Sequence, residues 1–499
     1  MKKRLPIIIF LFLSLSACNL NQPTAPPSTA IAPPSTPFTS RSTLLAPPPT
    51  FPATPSTPSA SLPSGELLQP SDFVYLGAFR LPGGEDPPQT FAYGGNAMTF
   101  NPDGDPSGAA DGFPGSLFVM GHDRLSYGDL PNGNQVAEIS IPAPVLSDNL
   151  ENLNTAAFIQ GFQDVTAGYF TDLEEIPKVG LAYLNRPETG PKIHIAWGQH
   201  LQPPDVASHG WFSPTLSHPD FKGTWFIGGQ DLYSVNGYMF EIPTPWAEFF
   251  GGKYLATGRM RDGGQGGMGP ALFAYSPWLL DGTPPPSEEH LTETTLLLYE
   301  NSYNTEQIVR AMNGYQHPDE WEGGAWLIAP SGKGAVLFAG TKSNGVKYWY
   351  GYINPAGPQY ACVDANVTDF PTCRTADGGF CPPADMTGCC NEESGNCVSL
   401  RGWWSTHTDA ELILYDQNDI ARVANGQLES WQPQPYAALD IDEHLYLDPP
   451  EWDRIMLGWG DQRRYRIGDV SYDRLNSLLY VLELYADGAK PVVHVWKVH

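Results

Sequence analysis

Gly94-Gly95-Asn96-Ala97-Met98-Thr99-Phe100 is a glycine pair that leads straight into an apolar alternation. The same arrangement recurs at Gly266-Gly267-Met268-Gly269-Pro270-Ala271-Leu272-Phe273 and at Gly323-Gly324-Ala325-Trp326-Leu327-Ile328, and Arg466-Ile467-Gly468-Asp469-Val470-Ser471-Tyr472 is a looser copy. A second pattern is a following strand that ends in glycine and then a polar residue. It occurs at Leu117-Phe118-Val119-Met120-Gly121-His122, His194-Ile195-Ala196-Trp197-Gly198-Gln199, Trp225-Phe226-Ile227-Gly228-Gly229-Gln230 and Val336-Leu337-Phe338-Ala339-Gly340-Thr341. Short alternating runs bounded by Gly, Pro, Asn and Asp read as strands, and no long amphipathic helical stretch interrupts them. Repeated strands with glycine at set places argue for a radial array of small sheets. Strands near a common axis approach closely, and glycine removes the side chain that would collide.

The chain ends fit such an array. Residues 492–498 read as a penultimate strand, and residues 73–81 as an outer strand with no partner before it. Pairing the two completes the last blade with an N-terminal strand and protects an edge that would otherwise template aggregation. The expected fold class is therefore all-β, a β-propeller of about six blades, with five to seven compatible with the uneven spacing. The blades fall at residues 92–165, 176–210, 211–262, 264–305, 320–440 and 465–499 with 73–81. A jelly roll or a pair of sandwiches is the competing arrangement.

Residues 1–18 read as an export signal. Lys2, Lys3 and Arg4 form a basic start, residues 5–15 an apolar core too short to span a bilayer, and Leu15-Ser16-Ala17-Cys18 a lipobox whose Cys18 supplies the thiol for lipidation. Asn19 follows where Asp does not, which in a two-membrane bacterium resembles outer-membrane sorting. The expected location is the cell envelope, at the outer membrane or cell surface, with the lipid as the only membrane contact. Residues 19–64 are almost entirely Pro, Ser, Thr and Ala, with no acid and one base, Arg41. Such a segment cannot bury enough apolar surface to fold, and reads as a linker. Residues 65–499 then form the folded domain. Taken together, the chain resembles a bacterial lipoprotein carrying a β-propeller, a resemblance at the level of fold.

The chain has 54 acidic residues against 27 basic ones, and removing Lys2, Lys3 and Arg4 takes the formal net charge from −27 to −30. This opposes binding to nucleic acid, so no nucleic-acid partner is expected. Beyond Cys18, six cysteines (Cys362, Cys373, Cys381, Cys389, Cys390 and Cys397) share one 36-residue window. In an oxidising compartment they read as three disulfides, in any of 15 pairings, stapling an insertion at residues 355–400. The window holds no C-x-x-C and no His, which sets the disulfide reading ahead of zinc.

Asp103-Gly104-Asp105-Pro106-Ser107-Gly108-Ala109-Ala110-Asp111 places the oxygen-bearing side chains of Asp103, Asp105, Ser107 and Asp111 at relative positions 1, 3, 5 and 9, with glycine at 6 for the tight turn. Calcium takes six to eight such oxygens, and the expected cofactor is a structural calcium ion. The loop is similar to the calcium hairpin loops of integrin α-subunit propellers, with Ser107 where Asp or Asn is usual. A polar turn without metal is the competing reading.

Polar residues after the glycine-ended strands form the expected ligand funnel: His122, Asp123, Gln199, His200, Gln230, Asp231, Thr341 and Lys342. Basic residues cluster at Gln462-Arg463-Arg464-Tyr465-Arg466 and at Arg401-Gly402-Trp403-Trp404. Arginine grips carboxylates bidentately, so Arg463 and the platform of Trp403 suit an acidic sugar. There is no P-loop, no nucleophile elbow and no H-E-x-x-H helix, and no motif identifies a reaction by itself. The first expectation is a lipid-anchored propeller that recognises a glycan or a protein ligand. Its enzymatic alternative resembles lyases of uronate-containing polysaccharides, with His122 as base and Arg401 or Arg464 neutralising the carboxylate. A non-catalytic envelope scaffold is the third.

Overall fold

The structure, a computed structural model, describes residues 65–83, 89–105, 110, 112–121, 134–169, 178–198, 206–230, 232–260, 262–302, 308–352, 363–364, 371–372, 401–450, 457 and 467–499. The chain divides into two units, Met1–Ser59 and Ala60–His499, and the described residues belong to the second. Cys18, the six clustered cysteines and residues 1–64 lie outside them.

The second unit is an all-β propeller of five blades. Blade 1 comprises Met98–Asn101, Ser116–Met120, Gln135–Ser140 and Phe158–Asp164. Blade 2 comprises Lys178–Arg186, Gly190–Gly198, His209–Phe212 and Lys222–Ile227, with His290–Leu291 added in parallel at its edge. Blade 3 comprises Met239–Glu241, Leu255–Thr257, Leu272–Tyr275 and Thr294–Leu297. Blade 4 comprises Glu320–Ile328, the long strands Gly334–Tyr352 and Arg401–Tyr415, and Pro435–Asp440. Blade 5 comprises Ile467–Asp473, Leu478–Asp487, Lys490–Val498 and, from the other end of the sequence, Phe73–Arg80.

The closure expected from the sequence is present. Phe73 pairs with Val498 and Arg80 with Val492, antiparallel. The blade boundaries differ from expectation in two places. Residues 190–198 and 222–227 are the second and fourth strands of a single blade, so the expected second blade and part of the expected third merge. Blade 3 also joins strands 239–241 and 255–257 of the expected third blade to strands 272–275 and 294–297 of the expected fourth. A strand that ends in glycine does not mark a fixed place in a blade.

The first strand of each blade is innermost, and the five contact one another in a closed ring. The backbone N–H groups of Met98 and Phe100 in blade 1 donate to Asp469 Oδ2 (3.1 Å) and Ser471 Oγ (2.8 Å) of blade 5. Tyr183 N of blade 2 donates to Thr99 Oγ1 of blade 1 at 2.7 Å. Crowding does the rest. A Cβ on Gly180 would lie 2.1 Å from Gly237 O, at the head of blade 3, and one on Gly323 would lie 2.7 Å from Val470 N of blade 5. Alanine cannot occupy either place without displacing backbone.

Five apolar clusters fill the five seams between blades. Phe118 and Trp197 belong to the first, Trp225 and Phe273 to the second, and Tyr238 meets Phe338 in the third. Leu337 and Val481 belong to the fourth, and Phe100 stacks on Tyr480 in the fifth. Full burial of each large side chain contributes roughly 1.5–3 kcal/mol, so the seams are the main source of stability.

Candidate functional site

The inner strands all run the same way, from an upper face where they begin to a lower face where they turn back. At the lower end they enclose an axial cavity of about 280 Å³. Every blade contributes to its wall: Thr99 from blade 1, Tyr183 from blade 2, Glu241 from blade 3, Trp326 from blade 4, and Ser471 and Arg474 from blade 5.

The turn after the last inner strand presents the cation. Asp473 is buried, and its carboxylate accepts from Leu475 N (2.9 Å), Asn476 N (3.0 Å) and Asn476 Nδ2 (2.7 Å). Burial pushes its pKa up against those bonds. The capped turn aims Arg474 across the axis. Arg474 Nη2 donates to Glu241 Oε2 and Nη1 to Trp326 O, both at 3.2 Å. The pair is partly open to solvent, Arg474 31% and Glu241 40% exposed at the side chain. Opposite stands Tyr183, whose hydroxyl donates to Asp103 Oδ2 at 3.0 Å. Burial, and then that hydrogen bond, raise its pKa, so it stays a neutral phenol. The hydroxyl of Tyr472 donates to Ile328 O at 3.0 Å. The cavity thus sets paired donors and acceptors among aromatic and aliphatic walls, the make-up of a small-molecule site.

None of the described residues expected from the sequence lines this cavity. His122, Asp123, Gln199, His200, Asp231, Arg463 and Arg464 lie outside the described residues, as do Ser107 and Asp111 of the expected calcium loop. Asp103 is held by Tyr183, and among the described residues no group of three or more His, Cys, Asp or Glu could hold a metal ion. Asp105 is partly buried in the same loop. Arg401 and Trp403 stand at the start of the third strand of blade 4, where Arg401 pairs with Tyr352 at the end of the second. Gln230 follows the fourth strand of blade 2 and donates to Glu293 Oε1 at 2.7 Å, away from the axis.

Lys342 is on the upper face, opposite the start of its inner strand, and is buried. Its ammonium donates to Asp319 Oδ1 at 3.1 Å and to Ser343 O at 2.6 Å. Burial raises Asp319 to about 6 despite Lys342. Glu411, close by on the same face of blade 4, is raised to about 7 by burial. Also on the upper face, both side-chain polar atoms of Asn96 are buried without a hydrogen-bond partner.

Tyr183, Glu241 and Arg474 are the functional candidates that the sequence reading missed. Their common signal is position: each stands at the end of an inner strand or in the turn after it, whereas the expected funnel was drawn from the ends of returning strands.

Comparison with protein-family models and with curated proteins gives no match. Among solved structures, a protein of unknown function from Dyadobacter fermentans is similar over 86% of this chain and 100% of its own, at 7% identity and a TM-score of 0.34. The PQQ domain of pyranose dehydrogenase from Coprinopsis cinerea is similar over 88% of this chain and 98% of its own, at 10% identity and a TM-score of 0.32. The α-L-arabinofuranosidase Arb93A from Fusarium graminearum is similar over 85% and 97%, at 10% identity and a TM-score of 0.33. The assignment of a five-bladed propeller rests on this chain's own sheets.

Proposed function

We propose that this protein is a glycan-binding β-propeller that takes a sugar ring into the axial cavity at its lower face. One observation carries the reading: all five inner strands end around a single cavity bridged by the partly exposed Arg474–Glu241 pair. A sugar offers vicinal hydroxyls, each both donor and acceptor, and an ion-paired guanidinium and carboxylate offer N–H groups and lone pairs side by side. At about 280 Å³ the cavity is near the lower end of small-ligand sites, which favours one ring. Glu241 already neutralises Arg474, and the chain carries −27 overall, so a neutral sugar is favoured over a uronate. Lipidation at Cys18 and the linker at residues 19–64 would hold the propeller at the cell envelope.

The test is calorimetric titration of the full-length protein with glucose, galactose, mannose and xylose and their linear di- to tetrasaccharides. Saturable binding to one of these, weakened by Arg474→Met, is the expected result. No heat on any of them ends the reading. Incorporation of labelled palmitate, lost in Cys18→Ala, tests the anchor independently.

A further inference from the structure

A second cavity of about 410 Å³ opens on the lower side of the seam between blades 3 and 4. Its walls are mostly apolar: Pro243, Pro245, Trp246 and Ile328, with the Gln417 amide at one edge. It shares two residues with the axial cavity, Glu241 and Arg474. Behind that pair, Trp246 of the second cavity touches Trp326 of the first, with ring centroids 5.3 Å apart. The two cavities are therefore one trough with a saddle, and the saddle is the Arg474–Glu241 pair.

We infer that the second cavity is an adjoining subsite for the same ligand chain, so that the protein binds a linear oligosaccharide. The inference rests on the reading of the axial cavity as a sugar site. One ring occupies the axial cavity. The glycosidic linkage crosses the saddle, where the linkage oxygen and neighbouring hydroxyls meet a carboxylate and a guanidinium pinned from two sides. The next ring lays its C–H face on Pro243, Pro245 and Ile328. Such a face is apolar, and its burial on an apolar wall is favourable. The polarity of the trough follows that of a sugar chain, polar at the linkage and apolar under the ring. Continuity through the shared residues is what singles out this occupant over an unrelated partner.

The experiment compares mono- and tetrasaccharide affinities of the full-length protein, using the sugar that gives the strongest heat. Two blocking variants sit on exposed rims: Thr244→Trp beside the second cavity and Leu475→Trp beside the axial one, where Leu475 is 80% exposed. In the wild type the tetrasaccharide is expected to bind at least about tenfold tighter than the monosaccharide, a difference of about 1.4 kcal/mol. Thr244→Trp is expected to erase that ratio and leave the monosaccharide unchanged, whereas Leu475→Trp weakens both. A wild type without the gain, or a Thr244→Trp protein that keeps it, overturns the subsite while the axial sugar site stands. Absence of binding by any sugar overturns both.

Discussion

Arg474 of blade 5 reaches Glu241 of blade 3 at 3.2 Å across the axial cavity, joining two blades that are not neighbours around the ring. The contact is too open to solvent to hold the propeller together, since exposed pairs contribute about 0–1 kcal/mol. Its placement suits it to a ligand. Arg474→Met is expected to lower sugar affinity about ten- to a hundredfold, the worth of one or two charge-assisted hydrogen bonds. The melting temperature should move by a few degrees at most. Arg474→Lys should fail to restore binding, because an ammonium cannot hold Glu241, Trp326 O and a ligand in one plane. Calorimetry and thermal melts on the same preparations check both statements.

The axis is where substitution is least tolerated. Gly180→Ala places a methyl 2.1 Å from Gly237 O and 2.9 Å from Met239 N, and should cost about 3 kcal/mol or more in denaturant unfolding. Gly161 lies in the outermost strand of blade 1, with nothing within 4 Å of its virtual Cβ. Gly161→Ala should change stability by less than about 0.5 kcal/mol. Equal effects at the two positions would refute the account of glycine at the axis.

The closing blade contains a buried polar chain. Glu483 accepts from His494 Nε2 (2.9 Å), Tyr446 N (3.0 Å) and Leu447 N (2.6 Å), and Tyr75 Oη meets His494 Nδ1 at 2.9 Å. Glu483→Ala leaves three groups without their acceptor beside a fully buried His494, and is expected to cost about 3–5 kcal/mol. A loss below about 1 kcal/mol by urea denaturation would contradict this.

Acid should act through two histidines between blades 2 and 3. Burial lowers both His194 and His209 to about 3. His194 has no hydrogen-bond partner on either nitrogen, whereas His209 meets Ser208 Oγ and Thr257 Oγ1 at 3.0 Å. Their folded values lie below the unfolded one, so the unfolded chain binds more protons. The stability they allow is complete above pH 6.5 and is lost as the pH falls toward 3. Asp319 and Asp442, raised to about 6, and Glu411, raised to about 7, work in the opposite sense and stabilise as the pH falls through those values. His194→Phe removes one of the two histidines from this balance. Relative to wild type it should gain up to about 3 kcal/mol at pH 4 compared with pH 7, measured by urea unfolding at both.

Much of the fold was legible in glycine. The glycine-led stretches at Gly94, Gly323 and Arg466 do become inner strands, and the pairing of residues 73–81 with 492–498 was readable from an unpartnered strand at each end. The stretch at Gly266 was misleading, because it leads into the third strand of blade 3. Glycine is needed there for a different close approach, a Cβ on Gly266 lying 2.0 Å from Tyr233 O. The site was harder to read. Lys342 looks like a ligand-facing cation beside a glycine, but nothing local reveals Asp319 buried behind it. Arg474 sits in an ordinary turn, and its meaning depends on Glu241, more than 200 residues earlier and two blades away.

The pairing of Phe73–Arg80 with Lys490–Val498 also sets a timetable. A chain delivered from its N-terminus presents one of its earliest strands first, and that strand waits with an open edge until the final nine-residue strand arrives. Blades 1 to 4 can assemble in order as they emerge, but the ring stays open throughout. An interrupted chain therefore leaves both an unsealed seam and an unpaired strand, two marks that separate unfinished molecules from finished ones.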